Sequence, residues 1–177
     1  IITLIVGAIF IGCNSESSSD SSFDTKGYAS TDKLVSAEWL SNNIDNVKII
    51  DVRKTEDYEL GHIPGALRLT PNEVFQIENE QGTKGMLPSA NHISTALSSI
   101  GINENDTVIF YDGNSNLWAS RGLWALEVYG HEDSRLLDGS WAFWSENDFP
   151  VTTDTEPITK SDYQFNKLFQ MFHYQNL

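Results

Sequence analysis

The sequence predicts an α/β domain with a central, mostly parallel sheet and helices on both of its faces. Short apolar runs of β-favouring residues alternate with helical patterns at short spacing, which is typical of strands joined by crossover helices. The run 108–111 is apolar at every position, as expected for a strand buried on both faces. Turn formers at 112–116 separate this strand from a helical pattern that begins at Leu117.

The remaining elements follow from caps, stops and apolar spacing. Ser36 and Ser89 are placed to cap helices, and Gly101 and Gly130 are placed to end them. Residues 71–88 are polar and irregular, and they predict an excursion between elements. Predicted helices cover 37–43, 55–60, 90–100, 117–129 and 141–146, and predicted strands cover 47–52, 66–69, 108–111 and 134–137.

The segment around Leu117 is the strongest candidate for a functional site. A strand that passes through a tight polar loop into a helix brings backbone N–H groups together, and these favour an anion. In the helix that follows, Trp124 with Val128 and Leu123 with Leu126 predict a broad apolar face.

Composition limits the function classes that need to be considered. The chain has 177 residues, enough for one domain with tails. Eleven Lys and Arg against 25 Asp and Glu give a net charge of −14, which argues against binding to nucleic acid. Four scattered histidines and a single cysteine support neither a metal centre nor a disulfide within the chain. No cofactor is expected.

The N-terminal segment predicts export and lipidation. Residues 1–12 are apolar but fewer than the roughly 20 that span a bilayer, and they suit the apolar part of an incomplete secretory signal. Phe10-Ile11-Gly12-Cys13 resembles a bacterial lipobox, although Phe10 stands where Leu is usual. An ordinary secretory peptide is the alternative interpretation.

This resemblance predicts a lipoprotein signal at 1–13 and a lipid on Cys13, followed by a disordered Ser- and Asp-rich tether at 14–32. The predicted location is the bacterial cell envelope, facing the periplasm. Asn14 does not by itself retain the protein at the inner membrane, so the outer membrane stays open as a destination.

Two longer segments carry a family resemblance. Residues 49–66, IIDVRKTEDYELGHIPGA, resemble the first signature of the rhodanese-like (sulfurtransferase) domain, and residues 136–144, LLDGSWAFW, resemble the second. The resemblance covers 33–152 and implies a three-layer α/β domain. Residues 153–177 are then interpreted as a linker toward a second domain.

The residues of these signatures predict structural roles. Asp51 ends a strand, where its carboxylate can accept backbone N–H groups or pair with Arg53 or Arg68. His62 is interpreted as a structural histidine bonded to the backbone rather than a catalytic one. Pro64-Gly65 and Asp138-Gly139 predict turns, and Trp141 and Trp144 are expected in the core.

In the family that the chain resembles, the loop after the strand 108–111 begins with a nucleophilic cysteine, whose thiolate and persulfide are held by backbone N–H groups and basic residues. Here Asp112 stands at that position and cannot carry sulfur. Its carboxylate is also negative, so the same backbone N–H groups and basic residues can hold it. Arg121 is one candidate partner. The predicted active-site-like loop comprises Asp112, Gly113, Asn114, Ser115, Asn116, Leu117 and Arg121.

The N-terminal halves of two-domain thiosulfate and 3-mercaptopyruvate sulfurtransferases resemble this arrangement. They share the Tyr111-Asp112 pair, Arg121, and an excursion that ends in Met86-Leu87-Pro88. The resemblance implies a second rhodanese domain after Leu177 that carries the cysteine. Gly85, where the mercaptopyruvate type tends to have His, slightly favours thiosulfate as donor. The alternative is a single, inactive rhodanese-like binding or regulatory module at the envelope.

Overall fold

The structure is a computed structural model that describes residues 28–155 and 157–165. The predicted signal with Cys13, and most of the predicted tether, lie outside the described residues. Across the described ranges, no helix has the length and apolar character that a bilayer crossing requires.

In the part of the chain that the structure describes, five parallel strands form the central sheet, which confirms the predicted fold class. Their spatial order is β1-β5-β4-β2-β3, so the strand that leads into the candidate loop is central. The strands are β1 (Leu34–Val35), β2 (Lys48–Asp51), β3 (Ala66–Arg68), β4 (Val108–Tyr111) and β5 (Ser134–Leu137).

Six α-helices within the described residues cover the two faces of this sheet. The predicted caps are present, because Ser36 Oγ accepts the N–H of Trp39 at 3.0 Å and Ser89 Oγ accepts the N–H of His92 at 3.3 Å. The helices are α1 (Ala37–Asn43), α2 (Thr55–Leu60), α3 (Pro71–Val74), α4 (Ala90–Ser99), α5 (Leu117–Val128) and α6 (Ser140–Glu146), and a 3-10 turn at Ile44–Asn46 follows α1.

Alternate side chains of the central strands divide the core into two clusters. In β4, Phe110 packs in the cluster that includes α4 and α5, whereas Ile109 and Tyr111 pack in the cluster that includes α1 and α6. Ile50 and Ile49 of β2 make the same division. The uniformly apolar run therefore is a strand buried on both faces, as predicted.

Some local predictions were wrong. The two-residue β1 and the four-residue α3 carry too little periodicity to be recognised, and neither was predicted. Trp124 is not on the buried face of α5: it is 37% exposed while Leu123 is buried, because neighbouring positions on a helix point in directions about 100° apart. Trp141 is only partly buried, whereas Trp144 is fully buried.

The domain extends beyond the predicted boundary at residue 152. Tyr163 is 1% exposed and belongs to the core cluster on the α4 and α5 side of the sheet. Its hydroxyl is 2.9 Å from Nδ1 of His131, and its N–H donates to Ser98 Oγ at 2.9 Å. Residues 157–165, which we call the strap, are therefore held against the domain through Tyr163, although most of their other side chains are exposed. The strap has no helical or alternating apolar pattern, so the sequence did not reveal this contact.

Candidate active site

The candidate loop lies where the central strands of the sheet end. Residues 112–116 connect β4 to α5 at the carboxyl edge of the parallel sheet, the edge at which α/β folds usually place ligand sites. Asp112 is the first residue of this loop and is 4% exposed. A carboxylate so deeply buried requires hydrogen-bond partners.

The carboxylate of Asp112 receives its partners from the loop itself. Oδ1 accepts the N–H groups of Asn114 at 3.1 Å and Asn116 at 2.9 Å, and Oδ2 accepts the N–H of Trp118 at 3.1 Å. The hydroxyl oxygen of Ser140 is 3.0 Å from Oδ1. Three amides and one hydroxyl therefore surround this negative charge.

One of these bonds also caps α5. Trp118 is the second residue of the helix, and Asn116 at the cap position has a φ of 56° and no capping bond from its side chain. The carboxylate of Asp112 thus replaces the usual side-chain cap and places a negative charge at the positive end of the helix dipole.

The second signature segment is joined to the same loop. The main-chain oxygens of Asp112 and Gly113 accept the N–H groups of Trp141 at 3.0 Å and Ala142 at 2.9 Å, which are in the first turn of α6. The side-chain amide of Asn116 donates to the carbonyl oxygen of Leu137 at 3.0 Å. The loop is therefore fixed between two helix N-termini.

Arg121 does not pair with Asp112. Its Nε donates to the carbonyl oxygen of Phe75 at 2.9 Å and its Nη2 to that of Gly85 at 2.8 Å. Its guanidinium also lies over the ring of Trp124, 4.5 Å from the centroid. Arg121 therefore connects α5 to the excursion 75–86 by hydrogen bonds. The carboxylate of Asp112 is instead bound by main-chain amides and a hydroxyl.

Sequence reasoning missed Ser140 and Trp118 as partners of Asp112. Ser140 is fully buried with a φ of 57°, and its Oγ accepts the N–H of Asp112 at 3.0 Å. It lies 28 residues away along the chain, so no local spacing connects it to the loop. Its position just after the predicted Asp138-Gly139 turn was the only available signal.

A buried ion pair lies beneath the loop, on the side of Tyr111. The carboxylate of Asp51 accepts one hydrogen bond from the main-chain N–H of Arg53 at 2.8 Å and another from Nη2 of Arg53 at 2.6 Å. Of the two predicted partners, Arg53 is therefore the one that pairs with Asp51. The hydroxyl of Tyr111 donates to the same carboxylate at 2.6 Å. Arg68 instead donates to Thr70 Oγ1 at 2.7 Å.

The environment of this ion pair shifts two pKa values. Burial, and then the negative charge of Asp51, raise the pKa of Tyr111 well above its ordinary value, so the phenol stays a hydrogen-bond donor. Burial opposes the charge of Arg53, but the hydrogen bond and charge of Asp51 outweigh it and raise the pKa of Arg53. The network is suited to structural support, since neither group exchanges a proton near neutral pH.

His62 and Gly65 have structural surroundings. The ring nitrogens of His62 lie 2.9 Å from the carbonyl oxygen of Tyr58 and 3.1 Å from that of Asp154, and the imidazole stacks on the Tyr58 ring. Gly65 has a φ of 75° in a turn closed by a 3.0 Å bond from the N–H of Ala66 to Ile63. His62 therefore has the main-chain partners expected of a structural histidine.

A cleft of about 270 Å³ opens beside the loop. Arg53, Lys54 and Asp57 line one side, and Asp112, Asn114 and Trp118 are among the residues on the loop side. Within 28–155 and 157–165, His, Cys, Asp and Glu side chains form no group of three that could hold a metal ion.

Together, the fold and the site define a class of protein: a three-layer α/β domain with an anion-holding loop after its central strand. A profile of the rhodanese-like domain matches residues 36–147. The chain belongs to the rhodanese-like domain family.

Relatives within this family are larger than the chain. "Putative thiosulfate sulfurtransferase 1" of Mycobacterium bovis is 35% identical over 136 residues, which are 74% of this chain and 48% of that protein. A "Putative thiosulfate sulfurtransferase" of Haloferax volcanii is 31% identical over 147 residues, with 78% of this chain and 50% of that protein covered. The chain thus spans about half the length of these relatives.

Solved structures have a similar fold. The crystal structure of SseA from Escherichia coli, described among 3-mercaptopyruvate sulfotransferases, superposes with a TM-score of 0.63 at 27% identity, covering 76% of this chain and 56% of SseA. The crystal structure of YnjE gives a TM-score of 0.64 at 29% identity, covering 76% of this chain and 34% of YnjE.

Proposed function

We propose that this chain is the non-catalytic N-terminal rhodanese domain of a lipid-anchored sulfurtransferase. The complete enzyme would transfer sulfane sulfur from thiosulfate or mercaptopyruvate to a thiophilic acceptor. A second rhodanese domain in the same polypeptide would supply the cysteine. The sulfurtransferase names of relatives about twice as long support this division of roles.

The observation that carries the proposal is the occupied loop. The amides of Asn114, Asn116 and Trp118 are directed at a carboxylate of the protein itself, so they are not available to a thiolate or a substrate anion. A carboxylate cannot attack sulfane sulfur and hold it as a persulfide, as a cysteine thiolate does. Cys13 is the single cysteine of the sequence, and a lipid on its sulfur would block it as a nucleophile.

The direct test is sulfur transfer from thiosulfate to cyanide by the chain 1–177. We expect no thiocyanate or sulfite above the uncatalysed background, with the full-length protein as the active comparison. Turnover by the chain 1–177 would overturn the assignment of a non-catalytic domain.

The coding sequence after Leu177 separates this proposal from the alternative of an inactive binding or regulatory module. A second domain with a cysteine at the start of the corresponding loop is expected. A stop codon at this point would favour the binding module, with the occupied loop as a purely structural feature.

A further inference from the structure

The strap 157–165 is bonded to one short stretch of the domain. The N–H of Ser161 donates to the carbonyl oxygen of Ser98 at 3.0 Å, and the N–H of Tyr163 donates to Ser98 Oγ at 2.9 Å. The N–H of Gln164 donates to Glu104 Oε1 at 2.7 Å. No residue of the strap belongs to the central sheet as described, so its release would leave the strand pairing intact.

Tyr163 is the buried side chain of the strap. Its oxygen lies 2.9 Å from Nδ1 of His131, which is also buried, and the ring centroids are 5.9 Å apart. Nε2 of His131 lies 3.0 Å from the carbonyl oxygen of Asp106, which can only accept a hydrogen bond. In the neutral imidazole the proton is therefore on Nε2, and the hydroxyl of Tyr163 donates to Nδ1.

A second proton on the imidazole disrupts this match. Nδ1 becomes a donor, so the hydroxyl of Tyr163 loses its acceptor in a site with almost no access to water. The imidazolium of His131 loses its hydration in the same site. Protonation is therefore costly while the strap covers His131, and this cost disappears when the strap leaves.

Charges on the surrounding segments reduce the cost of protonation only in part. Asp106 and Asp133 favour the imidazolium, but burial outweighs them and lowers the pKa of His131. Asp133 is also bonded to Nε of Arg135 at 2.7 Å and to the hydroxyl of Thr107 at 2.8 Å.

The contacts of His131 with α5 and with the strap are uncharged. On the α5 side, the carbonyl oxygen of Leu126 accepts the main-chain N–H of His131 at 3.0 Å. On the strap, burial and then the charge of Glu104 raise the pKa of Tyr163, so its phenol stays neutral.

We propose that His131 and Tyr163 form a pH-sensitive latch: the neutral imidazole holds the strap 157–165, and its protonation releases the strap while the central sheet stays folded. In the released state the imidazole titrates near its ordinary value of about 6.5. The opening constant of the strap should then rise by up to about tenfold for each pH unit below this value.

Release changes the point at which the polypeptide leaves the domain. With the strap open, the nearest attachment before it is the carbonyl oxygen of Asp154, which lies 3.1 Å from Nε2 of His62. The freed segment between Asp154 and Tyr163 adds up to about 30 Å of reach when extended. The latch lies within the described residues and is independent of a second domain.

Hydrogen–deuterium exchange of the 177-residue chain between pH 8 and pH 5 tests the latch by mass spectrometry. After correction for intrinsic exchange rates, the strap amides should exchange several-fold faster at pH 5 than at pH 8, whereas β4 should stay protected. Equal protection of the strap at both pH values would overturn the latch. Loss of protection in the strap and β4 together would also overturn it, because the domain would then unfold as a whole.

His131→Gln replaces the imidazole by a neutral amide that has a donor and an acceptor but does not titrate. Exchange of its strap should no longer depend on pH, and protection of β4 checks that the variant is folded. His92→Gln, at an exposed histidine of α4, is the matched control and should keep the wild-type pH dependence. A strap that still opens in acid in His131→Gln would assign the dependence to another group and sink the proposal.

Tyr163→Phe keeps the ring and removes the hydroxyl, which gives a second readout. Its strap should be less protected than that of the wild type at pH 8, and acid should change this protection less, because no phenol loses its acceptor. Protection and pH dependence equal to those of the wild type would show that the hydroxyl does not hold the strap.

Discussion

Asp112 has a structural role in the loop that follows β4. Its carboxylate accepts three main-chain N–H groups and lies beside the hydroxyl of Ser140, so replacing it leaves several buried donors without a charged acceptor. We expect Asp112→Asn to lower the free energy of unfolding by about 2–3 kcal/mol. The measurement is urea denaturation. Asp45→Asn, at an exposed aspartate, is the control. If both changes lowered the free energy of unfolding by the same small amount, the carboxylate of Asp112 would not be an important cap of α5.

The main-chain amides around Asp112 also predict how a cysteine at this position would behave. In a Cys13→Ser background, Asp112→Cys should have a thiol pKa below the ordinary value of about 8.5, because amides and the start of α5 favour a thiolate. The pH dependence of alkylation by iodoacetamide measures this pKa. Ser115→Cys, in the exposed part of the same loop, is the control. Identical alkylation profiles for the two thiols would show that the loop does not lower the pKa of a thiol at position 112.

At the scale of elements, the strap 157–165 contacts a buried histidine, His131, through the hydroxyl of Tyr163. Burial lowers the pKa of His131, although the carbonyl oxygen of Asp106 and the nearby Asp106 and Asp133 charges act in the opposite direction. A lowered pKa in the folded state means that the unfolded chain binds the proton more readily. Stability should therefore be complete above the unfolded value of about 6.5 and decline as the pH falls below it.

Denaturation curves between pH 8 and pH 5 measure this dependence. His131→Leu removes the titrating group, so its stability, though lower overall, should change less across the interval than that of the wild type. An unchanged slope in this variant would assign the pH dependence to other groups.

Elements with strong local patterns could be predicted from the sequence, and contacts between distant segments could not. β4, α2 and the Ser-capped helices were placed correctly because apolar runs, caps and stop residues are local signals. The strap was assigned to a linker because Tyr163 is held by His131 and Ser98, which are far from it along the chain. Asp112 was identified by its position at the start of the loop after the predicted strand 108–111, whereas Ser140 became a partner only through the fold.

At the scale of the whole molecule, the described domain accounts for only part of the proposed protein. The relatives are about twice as long, and the predicted signal lies outside the described residues. In the proposed molecule, the strap would lead toward a second domain and the predicted tether would lead toward a membrane. The described domain would be an acidic, folded body between them.

The lipid anchor gives the prediction that belongs to this scale. If Cys13 is lipidated, acyl chains hold the protein on the membrane, and several chains bind far more stably than a single one. Expressed with its complete signal in a bacterial host, the wild type should fractionate with membranes, and Cys13→Ser should move it to the soluble envelope fraction. Ser15→Ala, two residues on, is the control and should stay with the membranes. A wild type that is already soluble would mean that Phe10-Ile11-Gly12-Cys13 is part of an ordinary secretory peptide.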